Sequence, residues 1–169
     1  VAQAVAEGAG AQLIAVDGEG NVPDSAWDDL AAADAIIFGA PTYMGSVPWQ
    51  FKKFADASSK AWFTRAWQDK VFAGFTNSAS FNGDKQVTLV YLQTLASQHG
   101  GLWVSLGLMP ANAKAATRND VNNLGGSVGL LVQSLPLPLE LQLALGVALA
   151  IALMQGLNLI HPPAGANPL

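Results

Sequence analysis

Cysteine is absent from this chain of 169 residues, and charged residues of both signs are scarce. Without cysteine the protein can have no disulfide, no thiolate nucleophile and no cysteine-bound metal, a pattern typical of the cytoplasm, where we expect it. The 8 Lys and Arg are outnumbered by 12 Asp and Glu. Such a chain offers no positive track for a phosphate backbone, so we expect no nucleic-acid partner. The two histidines, His99 and His161, are too far apart in sequence to suggest zinc, and we predict no metal site.

The length and apolar content predict a single domain over residues 1–169. Apolar residues make up 51% of the chain, which is enough for a substantial core, whereas 169 residues are too few for two ordinary domains.

Strand-like and helix-like patterns alternate along the first two thirds of the chain. Uncharged apolar runs, typical of buried parallel strands, occupy residues 11–16, 35–39, 71–75 and 102–106. Helical patterns occupy residues 1–9, 24–33, 48–59 and 85–98, with Asp24 as the N-cap of the second and Pro48 in the first turn of the third. This alternation predicts a parallel sheet covered by helices on both faces. Residues 107–135, rich in Gly, Asn and Ala, are predicted to form a long loop.

Two loops follow central strands of this predicted sheet, where ligands bind in open parallel sheets. The Tyr43 loop, residues 41–45, consists of Pro41, Thr42, Tyr43, Met44 and Gly45. The Phe81 loop, residues 77–82, consists of Asn77, Ser78, Ala79, Ser80, Phe81 and Asn82. The aromatic, thioether and glycine groups of the first loop suit a flat ring. The amides of the second suit ring carbonyls, where a reduced flavin gains negative charge.

Both loops also have an ordinary structural interpretation. Glycine, serine and asparagine are common in turns after strands. Tyr43, Trp49 and Phe81 could equally be packing residues. The residue pattern leaves both interpretations open and identifies no catalytic residue.

The sequence AIIFGAPTYMG, followed by Gln50, Lys52 and Phe54 at alternate positions, resembles the WrbA-type (tryptophan-repressor-binding-protein) NAD(P)H:quinone oxidoreductases and their flavodoxin-family relatives. GFTNSASFNGDK, the helix ending in His99-Gly100, and ATRNDVNNLGG resemble the same proteins. The resemblance therefore runs from Val1 to about Gln133. It implies a flavodoxin-like α/β fold, a doubly wound parallel sheet in three α/β/α layers.

The resemblance also implies a function. It implies FMN as a non-covalent cofactor, NAD(P)H as electron donor and a quinone or similar small molecule as acceptor, in a homodimer or tetramer. It assigns the Tyr43 loop to the edge of the isoalloxazine ring and the Phe81 loop to its pyrimidine side. His99 matches the second of two adjacent histidines in the WrbA pattern, whereas the first, which approaches the flavin, is Gln98 here. We therefore expect His99 to be structural. A flavodoxin-type electron carrier and a non-catalytic domain of this fold are the alternative functions.

Folds of this type begin with a central strand and a Ser-, Thr- and Gly-rich loop that binds the FMN phosphate at a helix N-terminus. The opening sequence VAQAVAEGAG matches the helix that follows this loop, so the first strand is missing from these 169 residues. We expect the natural polypeptide to extend further at its N-terminus by about 15 residues, a strand plus a loop. Without that segment FMN would bind weakly.

The end of the chain carries almost no charge, since Glu140 is the only charged residue after Asp120. Residues 136–160 have the outline of the closing helix that the resemblance implies, yet their leucines alternate with a period that suits a strand. By length, residues 141–160 could also span a membrane. Three interpretations stay open: a closing helix buried by oligomerisation, a membrane anchor, or a tail whose residue identities are unreliable. The glycines Gly146 and Gly156 and the missing basic flanks favour the first or third, so we expect no membrane partner.

Overall fold

The computed structural model of the protein describes residues 1–133. Its four strands form one sheet in which every strand pair is parallel. The strands are β1 (Ala35–Pro41), β2 (Val71–Ser78), β3 (Leu102–Trp103) and β4 (Leu130–Gln133). The helices are α1 (Ala2–Ala9), α2 (Ala26–Ala32), α3 (Trp49–Ala57), α4 (Ser59–Phe63) and α5 (Lys85–Gln98). The closing helix expected at residues 136–160 lies outside the described residues.

Strand β2 is the centre of the described sheet because it has hydrogen-bonded neighbours on both sides. β1 pairs with it from Ala35 opposite Val71 to Pro41 opposite Asn77, and β3 and β4 take the other side. The first six residues of β2 are buried, as expected for a strand covered on both faces. The strands predicted at residues 35–39 and 71–75 are confirmed. Both continue further toward their carboxyl ends, where the two candidate loops begin.

The third position of the sheet is shared by two short strands. β3 pairs with the start of β2, at Val71 and Phe72, whereas β4 pairs with its end, from Phe75 to Ser78. The Val104 amide makes the last bond of this segment to β2, to the Phe72 carbonyl, and the Leu106 amide then bonds to the Ser127 carbonyl instead. The strand predicted at residues 102–106 is therefore too long. The loop predicted at residues 107–135 missed β4, which completes the same sheet position.

Helices cover both faces of the sheet, as predicted. On one face, apolar side chains of α2, α3 and α5 pack against β1 and β2; they include Leu30, Phe51, Phe54, Leu89 and Leu92. On the other face, Val5 of α1 packs with Phe75, Leu106 and Leu130. The prediction for α5 is confirmed over its full length, and α3 buries Phe51, Phe54 and Ala55 while Lys52 and Lys53 face solvent.

Two predictions near the N-terminus were wrong. Residues 11–16 form no strand, because no described strand lies beside them to complete a hydrogen-bond ladder. Helix α2 begins at Ala26 with Ser25 as its N-cap, so Asp24 does not cap it. The Ala26 amide bonds to the Pro23 carbonyl, which places Asp24 inside a turn before the helix. The expected end of α1 is confirmed at Gly10, whose φ of 61° suits glycine.

A cavity of about 800 Å³ lies between β1, α1 and the segment 11–18. Its lining is largely apolar and includes Val5, Leu13, Ile14, Ile37, Phe51 and Phe75. Asp34 and Thr42 direct their backbone groups toward β2, so the even-numbered residues between them do the same. The backbone groups of Ala35, Ile37 and Gly39 consequently point away from β2, toward the cavity. Within the described part of the chain, β1 is therefore an edge strand.

Candidate cofactor site

The Tyr43 loop is a tight hairpin turn at the carboxyl end of β1. The amide of Tyr43 donates to the carbonyl of Ser46 at 2.8 Å, and the amide of Ser46 donates to the carbonyl of Tyr43 at 3.2 Å. Met44 and Gly45 both have positive φ, 48° and 82°, which is the signature of a type I′ turn. Glycine adopts this conformation freely, whereas methionine does so at a cost of about 1 kcal/mol or more. The turn holds the Met44 side chain outward, with 94% of the residue exposed.

Apolar side chains around this edge of the sheet are exposed to solvent. Tyr43 is 70% exposed, Trp49 58% and Phe81 55%. None of the three is buried in the described chain. Exposed rings at the rim of a parallel sheet are available to a planar ligand.

Hydroxyl groups join the Tyr43 loop to the sheet and to helix α5. The Thr42 hydroxyl lies 2.8 Å from the Thr76 hydroxyl of β2 and 2.8 Å from the Thr88 hydroxyl of α5. The Thr42 amide also donates to the Asn77 carbonyl at 2.8 Å. Thr76 and Thr88 are completely buried. The two candidate loops are therefore adjacent, and their relative position is fixed by short bonds.

Replacing Thr88 with valine should uncouple α5 from the Tyr43 loop. Valine has the shape of threonine but leaves one bond of the Thr42 hydroxyl unmade, so we expect the free energy of unfolding to fall by about 1–2 kcal/mol. Thr94→Val is the matched control, because Thr94 lies on the exposed side of the same helix and bonds only to the Val90 carbonyl. Urea unfolding of both variants measures the difference. Equal effects of the two substitutions would contradict the coupling.

The Phe81 loop is held by residues that sequence reasoning did not single out. The buried ammonium of Lys85 donates to the carbonyls of Ser80, Phe81 and Asn82. From β4, the Gln133 amide donates to the Ala79 carbonyl at 3.1 Å. Lys85 could have been found from its spacing, because it shares the buried face of α5 with Thr88, Leu89 and Leu92. The bond from Gln133 to the loop could not be predicted without knowing that residues 130–133 form strand β4.

A cationic group lies beside the Phe81 loop. The Arg118 guanidinium lies 5.8 Å from the centre of the Phe81 ring and donates two hydrogen bonds to the side-chain carbonyl of Gln133. Arg118 is exposed. With Lys85, it provides positive charge beside the Phe81 loop.

His99 is a buried structural residue, as expected. Its ring lies 4.3 Å from the ring of Trp67, and its Nε2 lies 3.0 Å from the Ser58 hydroxyl. That hydroxyl donates to the Ala55 carbonyl, so it accepts the proton of Nε2, and the neutral ring carries no proton on Nδ1. Nδ1 is buried and has no hydrogen-bond partner. Burial lowers the pKa of His99 below its ordinary 6.5.

Acid should therefore destabilise the fold through His99. The unfolded chain takes up a proton near its ordinary pKa of 6.5, whereas the folded chain does so only at a lower pH. Stability then falls as the pH drops from about 6.5 toward the folded-state pKa, and this residue contributes no pH dependence above that range. Urea unfolding at about pH 7.5 and about pH 5 measures the change. His99→Gln, which cannot titrate, should show a smaller loss, and an identical loss in both proteins would contradict the assignment.

The residues present fit the ring of a flavin. The Tyr43 loop offers exposed Tyr43 and Met44, and a Cβ added at Gly45 would meet no atom within 4 Å, so close approach of a flat ring is possible there. The cavity beside β1 reaches the Tyr43 loop at Pro41, whereas residues 77–82 do not line it. Among residues 1–133 the ring therefore has a fitting surface at the two loops.

Comparison with known proteins places the chain in a family. Residues 15–117 match the model of the family described as NADPH-dependent FMN reductase. The chain belongs to this family. The match covers both candidate loops and confirms the resemblance to FMN-dependent flavodoxin-like oxidoreductases.

Relatives of the FMN reductase family support the same fold and cofactor. The chain is 72% identical to flavodoxin FldP of Pseudomonas aeruginosa over 134 residues, 79% of this chain and 73% of that protein. It is 36% identical to an NAD(P)H dehydrogenase (quinone) of Geobacter metallireducens over 51% of this chain and 42% of that protein. A crystal structure of a flavodoxin, WrbA-like protein from Agrobacterium tumefaciens matches with a TM-score of 0.71 at 52% identity, covering 90% of this chain and 87% of that one. The predicted three-layer flavodoxin-like fold is confirmed.

The end of the chain matches a second model. Residues 110–169 match the family described as HPP, transmembrane region. Within the described part of that range, Leu130 and Val132 are buried in strand β4, so residues 110–133 include a strand of the redox domain. None of the helices in the described part of the chain has the length and apolar character needed to cross a bilayer.

Proposed function

We propose that the protein binds FMN non-covalently at the Tyr43 and Phe81 loops and uses NAD(P)H to reduce a quinone or a similar small acceptor. The observation that carries this proposal is the junction of the two loops at Thr42. Its amide and hydroxyl connect the Tyr43 loop to Asn77, Thr76 and Thr88, so that exposed apolar groups and a row of small polar residues stand side by side. Membership of the FMN reductase family supports FMN as the cofactor.

The chain's own residues bind and orient the cofactor in this proposal. FMN, when bound, supplies a ring that accepts hydride and passes electrons on. Tyr43 and Met44 would hold the edge of that ring, and the amides of residues 77–82 would hold its carbonyl side. Arg118 and Lys85 add positive charge near the Phe81 loop. No side chain is assigned a proton-transfer role.

The visible absorption spectrum, recorded before and after FMN is added, tests the proposal. We expect flavin bands that NADPH bleaches and benzoquinone restores. Phe81→Ala should weaken FMN binding, whereas Phe63→Ala should not, because Phe63 is an equally apolar, exposed residue of α4 away from both loops. A colourless protein that does not bind added FMN would refute the proposed function.

An electron carrier of the flavodoxin type is the second candidate. The 72% identity to a protein named flavodoxin favours it, since the relatives named as quinone dehydrogenases match over about half of this chain. A carrier needs a redox protein as partner, whereas a quinone reductase turns over alone. Steady oxidation of NAD(P)H with benzoquinone and no other protein supports the enzyme. Bound FMN that is reduced only slowly by NAD(P)H supports the carrier.

The assembly and location of the protein are further parts of this proposal. We propose a homodimer or tetramer in which the redox domain lies in the cytoplasm. Exposed Leu102, which pairs with the start of β2, offers apolar surface at the end of the strands opposite the candidate loops for contact with a second copy. Light scattering coupled to gel filtration should give a mass of two or four chains, and a mass of one chain would refute the assembly.

The second family match supports a separate proposal about the end of the chain. Residues 141–160 carry no charge, and they fall within the range that matches a transmembrane family. We propose that this segment contacts the membrane, contrary to our expectation from composition. After expression, the protein should sediment with membranes and be released by detergent but not by alkaline carbonate. Recovery from the supernatant without detergent would refute the membrane contact.

A further inference from the structure

Lys85 carries a positive charge into the interior beside the candidate site. It is the first residue of α5 and only 1% exposed. Among the described residues it forms no ion pair with a carboxylate. Lysine is almost never buried without a partner, because removing an ammonium group from water is costly. Consistent with this cost, burial lowers the pKa of Lys85.

Three backbone carbonyls take the place of a counter-ion. The ammonium nitrogen lies 2.6 Å from the Ser80 oxygen, 3.1 Å from that of Phe81 and 3.2 Å from that of Asn82. An ammonium group has three donors, so these bonds use all of them. The acceptors are consecutive residues of the Phe81 loop, and this geometry fixes the orientation of three successive peptide groups. In a peptide unit the N–H points opposite to the C=O, so the amides that follow these carbonyls point away from the lysine.

The loop leaves little freedom for another conformation. Gly83 and Asp84 both have positive φ, 55° and 54°, where the chain turns from the loop into α5. A Cβ on Gly83 would collide with the Ser78 hydroxyl oxygen. The loop is therefore held at one end by this turn, in its middle by Lys85, and at its start by Gln133 through the Ala79 carbonyl.

We propose that Lys85 is a positioning residue that holds the Phe81 loop in the conformation needed to contact a flavin. This inference rests on the proposed function, and it assigns the role to a side chain that contacts only the loop. Burying an ammonium group is costly, and the three carbonyl bonds offset that cost while they define the conformation of the loop.

Lys85→Met tests the inference, with Lys70→Met as the matched control. Lys70 also donates to backbone carbonyls, those of Ala31 and Ala33, but these lie at the end of α2. We expect Lys85→Met to weaken FMN binding roughly 10-fold or more, from the loss of charge-assisted bonds. Hydrogen exchange of the amides of residues 78–84 should become faster. Lys70→Met should leave FMN binding and the exchange of residues 78–84 unchanged.

The absence of cysteine allows a rescue experiment. In Lys85→Cys the new thiol is unique, and bromoethylamine, added in denaturant, restores an ammonium group at the end of a side chain of lysine length. After refolding, this product should recover FMN affinity and slow exchange. Alkylation with iodoacetamide gives a neutral side chain of similar size and should recover neither.

The outcomes separate the two proposals. If the unaltered chain binds FMN and Lys85→Met binds it equally well, the role of Lys85 is refuted and the proposed function stands. If the unaltered chain does not bind FMN, the proposed function fails, and hydrogen exchange alone decides whether Lys85 holds the loop. Unchanged exchange of residues 78–84 in Lys85→Met refutes the inference in either case.

Discussion

Trp67→Ala should lower the free energy of unfolding by about 3–5 kcal/mol, the largest effect expected of a single truncation in this core. Trp67 is fully buried, and the rings of Trp27, Phe38, Phe54 and Phe72 surround it at centroid distances of 6.3 to 6.5 Å. The substitution removes apolar contacts and leaves a cavity that these rings fill only in part. Aromatic pairs also contribute beyond their buried area.

Trp62→Ala is the control for this prediction, because Trp62 is a tryptophan of α4 that is largely exposed. Its effect should stay within about 0.5 kcal/mol. Thermal and urea unfolding of both variants measure the contrast. A loss below about 1 kcal/mol for Trp67→Ala would show that the aromatic cluster is not the centre of the fold.

Gly129→Ala should destabilise the protein by about 1–3 kcal/mol or more and also disturb the cofactor site. A Cβ at this position would lie 2.5 Å from the Gly74 carbonyl oxygen and 2.9 Å from a methyl carbon of Leu89. The carbonyl belongs to the central strand and cannot move aside, so β4 must shift away from β2. At the other end of β4, Gln133 holds the Ala79 carbonyl, and the shift reaches the Phe81 loop through this bond.

Gly18→Ala is the matched control, since a Cβ there would meet no atom within 4 Å and its φ needs no glycine. We expect Gly129→Ala to lower the unfolding midpoint and to weaken FMN binding, and Gly18→Ala to do neither. A destabilised Gly129→Ala protein with unchanged FMN affinity would show that β4 supports the sheet but not the site.

The central elements could be predicted from the sequence because the apolar pattern of their residues shows which of them are buried. Strands β1 and β2 are apolar runs ending at polar loops, a pattern that a strand buried on both faces must have. Helix α5 buries Leu89, Leu92 and Leu95 at helical spacing, so its bounds were predictable as well. The positions of both candidate loops at the carboxyl edge follow directly from these strands.

Other features depend on neighbours that a local pattern does not contain. Residues 11–16 look like a strand, but strand geometry also requires a hydrogen-bonding partner beside it. β4 was missed because its few residues follow a Gly-rich stretch and complete a position that β3 leaves after Trp103. The bonds of Thr42 to Thr76 and Thr88 join residues that are distant in sequence. No regular spacing along the chain indicates such hydroxyl pairs, so they could not be predicted.

The bonds of Thr42 to β2 and α5 have a consequence for motion near the candidate site. The Tyr43 loop cannot shift alone, because the Thr42 amide and hydroxyl are bonded to Asn77, Thr76 and Thr88. Any displacement of this loop therefore also displaces the end of β2 or the first turn of α5.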